Sequence, residues 1–127
     1  MSTGYTKIYE WNGTNWVQLG GNIIGEAAFN WSGSSVALNA NGSRVAIGAN
    51  GHVRIYEWNG STWVQLGSDI DGEAAEDESG RSVSISSTGD RVAIGAYGNS
   101  DNGSFSGHVR IYEWNGTTWI QMGSDID

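Results

Sequence analysis
Cysteine and proline are both absent from these 127 residues. Without cysteine there can be no disulfide framework and no thiolate metal site, so packing alone must hold the fold together. The missing cysteine does not by itself select a cellular compartment. Positive charge is also scarce, with 6 Lys and Arg against 14 Asp and Glu and a net charge of −8. That balance opposes approach to phosphate backbones and anionic lipid, so neither nucleic acid nor a membrane surface is expected as a partner. No apolar run approaches the roughly 20 residues of a spanning helix, and residues 1–4 lack the basic-then-apolar order of a signal segment, so the chain reads as soluble.

What the chain does have is glycine, 20 residues, and tryptophan, 7. Both are explained by repetition. His52 to Asp71 recurs at His108 to Asp127 with 17 identities in 20 positions, the differences being Ser61/Thr117, Val64/Ile120 and Leu66/Met122. An earlier copy begins at Tyr5, and Ser34 to Ala49 matches Arg81 to Ala96 in the same way. The spacing is 47 residues from Ile8 to Ile55 and 56 from Ile55 to Ile111, the excess of nine being an insertion at 98–106. A period near 50 with β texture points to a propeller or a β-solenoid.

Each repeat divides into strands by alternation. In Val53 to Trp58 the aliphatic side chains face one way and Tyr56 and Trp58 the other, so both faces carry apolar area and both require cover. Asn-Gly at 12–13, 59–60 and 115–116 predicts tight type I′ hairpins. Ser82 to Ile85 and Arg91 to Ile94 form a further strand pair around the turn Ser86 to Asp90, with small side chains that permit close approach.

The order Val-Ser/Ala-Ile/Leu, polar turn, Arg-Val-Ala-Ile-Gly-Ala, loop, Gly-His-Val-Arg-Ile-Tyr-Glu-Trp resembles the blade grammar of WD-repeat and integrin-α-type (FG-GAP) propellers. The resemblance implies an all-β fold of four-stranded antiparallel blades. Ser35 to Leu38 and Ser82 to Ile85 would be innermost, followed outward by the Val45 and Val92 strands, the Tyr-Glu-Trp strands and the Trp-Val-Gln-Leu strands. The units fall at 5–20 (a half blade), 34–68 and 81–124. Calcium-binding blades of that kind carry an Asp-rich loop between the inner strands. The corresponding turns, Asn39 to Ser43 and Ser86 to Asp90, are too short and too poor in carboxylates, so that site is not carried over.

The remaining oxygen-rich residues are weak metal candidates. Asp69, Asp71 and Glu73 resemble the start of a cation loop, but repeat one replaces the first two by Asn22 and Ile24. Asp101 lies in the insertion, whose composition suits any polar loop. Six acids between Asp69 and Glu78 read as a solvated loop. No cofactor is expected. Catalysis lacks its parts, since His52 and His108 are repeat-equivalent and no carboxylate pair is singled out, so the chain is not expected to be an enzyme.

Six of the Trp residues occupy equivalent strand positions and are expected to pack between blades. Trp31 breaks the pattern. Ile24, Phe29 and Trp31 stand where repeat two is acidic, which marks them as interface or ligand candidates. Two complete blades cannot close a ring of about four to eight, so the leading expectation is a self-assembling cyclic homo-oligomer, with a trimer of six blades favoured. A glycan-binding lectin is the alternative partner reading, and a calcium-dependent adhesion module the third.

Overall fold
The computed structural model describes residues 5–24, 35–49, 52–71, 79–96 and 108–124, and all regular structure among them is β. The N-terminal unit contains β1 (Tyr5–Thr6), β2 (Tyr9–Trp11), β3 (Trp16–Gln18) and β4 (Ile23–Ile24). Blade one follows with β5 (Ser35–Leu38), β6 (Arg44–Ala49), β7 (His52–Trp58), β8 (Trp63–Gln65) and β9 (Ile70–Asp71). Blade two is β10 (Ser79–Ile85), β11 (Arg91–Ala96), β12 (His108–Trp114) and β13 (Trp119–Gln121). Every pairing is antiparallel and between sequence neighbours, except that β9 returns to pair with β7 beside β8, and β1 pairs with β4 around the β2–β3 hairpin.

The outermost strand of a unit is therefore one strand broken in two. β8 pairs with the second half of β7 (Trp58 opposite Trp63) and β9 with its first half (Val53 opposite Ile70). The break falls at Gly67, whose φ is +79°, a left-handed conformation that glycine adopts without penalty. β3 and β4 repeat the arrangement around Gly20, at φ +76°. The outer strands thus run on to Ile24 and Asp71, past the ends at 20 and 68 expected from sequence. The inner strand β10 likewise starts earlier than Ser82, at Ser79, with a register irregularity between the two.

The Asn-Gly hairpins differ from the type I′ expectation. Trp11 pairs directly with Trp16, leaving a four-residue loop in which the Asn12 N–H donates to the Asn15 carbonyl at 3.0 Å. The Asn12 side-chain oxygen accepts from the N–H groups of Thr14 and Asn15, both at 2.8 Å. Asn59 and Asn115 cap their loops in the same way. The Asn side chain thus satisfies two loop donors, and the glycine that follows it carries a positive φ.

The apolar core lies between the units. One cluster joins Ala46, Val53, Ile55 and Ile70 of blade one to Val92, Ile94 and Trp119 of blade two. The other joins Ile8 and Ile23 of the N-terminal unit to Val45, Ile47 and Trp63. Alternation along β6 sends Val45 and Ile47 to one neighbour and Ala46 to the other, as the two-sided apolar pattern requires. Each buried Val or Ile contributes roughly 1.5 to 3 kcal/mol, so face-to-face stacking of units is the main stabilising term.

Candidate functional site
The contact between units has an outer and an inner part, each built from repeat-equivalent residues. At the outer end the hairpin brings its two Trp rings together, with centroids 5.3 Å apart for Trp58–Trp63 and for Trp114–Trp119. The Trp58 N–H donates inward to the Ser43 carbonyl, so Trp58 and Trp63 form the non-hydrogen-bonded kind of cross-strand pair, in which side chains lie closest. The second indole of each pair then reaches the preceding unit. Trp63 Nε1 donates to the Leu19 carbonyl and Trp119 Nε1 to the Leu66 carbonyl, both at 2.9 Å. The next residue is the glycine of the strand break. A Cβ on Gly20 would lie 2.8 Å from Trp58, and one on Gly67 would lie 2.8 Å from Trp114, so the absent side chain is what lets the Trp pair close down.

The inner part rests on Arg44. Its Nε binds Glu57 at 3.0 Å across the β6–β7 ladder, and Nη1 donates to the Gly89 carbonyl of blade two at 2.9 Å. The Ala40 N–H reaches the Ser87 carbonyl at 3.0 Å beside it. Gly89, at φ +85°, leaves room for this approach, since a Cβ there would meet Arg44 Cδ at 2.7 Å. The turn is stiffened from within by Asp90, which accepts from the Thr88 and Ser86 hydroxyls at 2.6 and 3.3 Å. The Thr88 hydrogen bond holds the Asp90 carboxyl below the usual aspartate range.

Both parts recur at the two ends of the stack with one half missing. Trp16, equivalent to Trp63 and Trp119 at 8% exposure, is 67% exposed, and its partner Trp11 is open as well. Gly123, equivalent to Gly67, keeps its positive φ with nothing within 4 Å of a Cβ position. At the inner end the Arg91 side chain is 56% exposed where Arg44 is 18%. Gly42, equivalent to Gly89, is open in the same sense as Gly123. Val83 and Ile85 of β10 pack on the core under blade one, whereas their equivalents Val36 and Leu38 are 52% and 49% exposed. A groove of about 300 Å³ runs between these two residues and β1–β2, walled by Ile8, Tyr9 and Val45. Open apolar faces and exposed aromatic rings of this kind offer area for contact.

Of the residues singled out from sequence, Ile24 is exposed and pairs with Tyr5 beside a small pocket of about 180 Å³ that Tyr56 and Trp63 also line. Phe29, Trp31, Glu73 and Asp101 lie outside the described residues, as does the acidic stretch from 72 to 78. Asp69 is not a loose loop acid. Its two oxygens accept from Arg54 Nε at 2.9 Å and from Arg54 Nη2 at 3.3 Å, and Gln65 Nε2 adds a third bond at 2.7 Å. Burial raises the Asp69 carboxyl, but the Arg54 and Gln65 hydrogen bonds and the Arg54 and His52 charges outweigh it, and the net pKa is lowered. Repeat one carries the neutral version of this contact: Gln18 Nε2 donates to Asn22 Oδ1 at 2.8 Å, and Lys7 sits over the Tyr5 ring instead. Asp71 belongs to β9, paired through its backbone with His52. Sequence reasoning passed over Arg44, Arg91 and the glycines at 20, 42, 67, 89 and 123. Their signal was present, since each recurs at its repeat position.

Residues 69–112 match the family model of the FG-GAP repeat, a span from the end of blade one through β10 and β11 into β12. No curated protein matches the chain. The matched repeat and the antiparallel, strand-only architecture of the described residues together fit a propeller-like FG-GAP fragment, a module of the binding or structural kind.

Proposed function
We propose that this chain is a non-catalytic, self-assembling propeller module whose copies join through their open blade faces into a cyclic homo-oligomer. The observation that supports it most is the internal repetition of one contact. The Trp-to-carbonyl part of it is made twice within the chain, and the unmatched halves of its inner part, Arg91 on one side and Val36, Leu38 and Gly42 on the other, stand open. A contact between unlike surfaces closes into a ring when its rotation divides the circle. With two complete blades per chain and rings of about four to eight blades, three copies make an ordinary propeller.

Light scattering at several concentrations tests this. Three copies of a 13.6 kDa chain are expected, and a compact monomer at every concentration overturns the reading. The exposed Trp11–Trp16 pair, with centroids 5.4 Å apart, also supports a glycan-binding reading, because aromatic faces stack on sugars. A glycan array on the assembled protein separates the two: sugar binding lost in Trp16→Ala without change of mass would put the lectin first.

A further inference from the structure
We infer that the inner strand pair β10–β11 of a second copy seats in the groove over Val36 and Leu38, with its Arg91 donating to the carbonyl of Gly42. This rests on the self-assembly reading and names the surfaces that carry it. The template lies within the chain. β5 and β6 of blade one cover β10 of blade two, burying part of Val83 and Ile85, while Arg44 crosses to the Gly89 carbonyl. Every residue on both sides of that contact has a counterpart on an open surface. Val36, Leu38 and Gly42 stand for Val83, Ile85 and Gly89 on the receiving side. Ser84, Ala93 and Arg91 stand for Ala37, Ala46 and Arg44 on the entering side.

Shape and charge agree with this occupant. Ala46 is fully buried where the contact is made, and Ala93 is no larger, so the entering sheet face can approach as closely. The N-terminal unit covers blade one's receiving face only over Val45, Ile47 and Trp63, through Ile8 and Ile23, and leaves the apolar inner edge at Val36 and Leu38 for an inner strand pair to complete. A guanidinium meeting a carbonyl in a partly dry site is a charge-assisted hydrogen bond with defined geometry, which fixes the register of the incoming sheet. The geometry holds whichever outer hairpin, β2–β3 of one copy or β12–β13 of the other, completes the joined blade. It excludes the simpler head-to-tail contact in which Gly123 slides under Trp11 and Trp16, because Arg91 would then face the empty groove.

The test compares the solution mass and dissociation constant of the full chain with those of Arg91→Ala, Leu38→Asp and Glu113→Gln. Arg91 and Leu38 are exposed, so their substitution leaves the isolated fold intact, which circular dichroism checks. Glu113→Gln removes the 3.2 Å ion pair that Arg91 makes within its own blade while keeping the arginine. Leu38→Asp is expected to give monomers, Arg91→Ala to raise the dissociation constant about tenfold, and Glu113→Gln to stay near wild type. If Leu38→Asp fails to fold, Arg91→Ala alone decides. A wild-type oligomer whose affinity is unmoved by Arg91→Ala overturns the groove and leaves self-assembly standing. A wild-type chain that is monomeric at about 100 µM overturns both.

Discussion
The indole N–H of Trp119 donates to the carbonyl of Leu66, 2.9 Å away in the neighbouring blade and 53 residues earlier in the chain. The ring is nearly buried, so its hydrogen bond is made where water competes poorly. Trp119→Phe keeps most of the apolar area and removes the donor. It is expected to cost about 1 to 3 kcal/mol in urea unfolding, whereas Trp16→Phe, at an exposed ring, should cost almost nothing in dilute protein.

Gly67 and Gly123 share a left-handed backbone but differ in what lies above them. A Cβ at 67 meets Trp114 at 2.8 Å and Trp119 at 3.0 Å, while one at 123 meets nothing within 4 Å. Gly67→Ala therefore adds overpacking to backbone strain and should cost about 2 to 4 kcal/mol, against about 1 kcal/mol for Gly123→Ala. Denaturant melts at concentrations that keep copies apart would show the difference, and equal losses would place the effect in the backbone alone.

Asp69 links stability to acid. Its carboxyl has a lowered pKa in the folded chain, so the stabilisation from Arg54 and Gln65 is fully present above the ordinary aspartate value of about 3.9 and is lost as pH falls through the folded value. Asp69→Asn should lower the melting temperature at neutral pH and flatten its decline below about pH 4. An unchanged acid limb would show that other carboxylates govern it.

The acids at Glu76, Asp77 and Glu78 repel one another, and repeat one has Phe29, Asn30 and Trp31 at the equivalent positions. Neutralising all three is expected to leave the melting temperature unchanged or raised. A loss of several degrees would mean that they have buried partners.

Strands and their order were legible because they depend on local alternation, which neighbouring residues carry. Val53, Ile55, Tyr56 and Trp58 announce a strand that needs cover on both faces, and it has that cover. The hairpin geometry was less legible. Asn-Gly is consistent with two loop lengths, and the choice fell to the direct Trp–Trp pairing that places the Asn side chain over two donors.

The sequence by itself determined that the chain is a repeat of two-sided apolar strands, because periodicity and composition need no third dimension. Only the tertiary structure decided which face meets which. Arg44 and Gly89 are 45 residues apart in the chain, and nothing near either names the other. The same holds for Asp69, whose place among other acids suggests a loop or a cation until the fold brings it back against Arg54 of β7. Contacts at that range arise from the twist and stacking of whole sheets, so they are a property of the packed units and of no single segment.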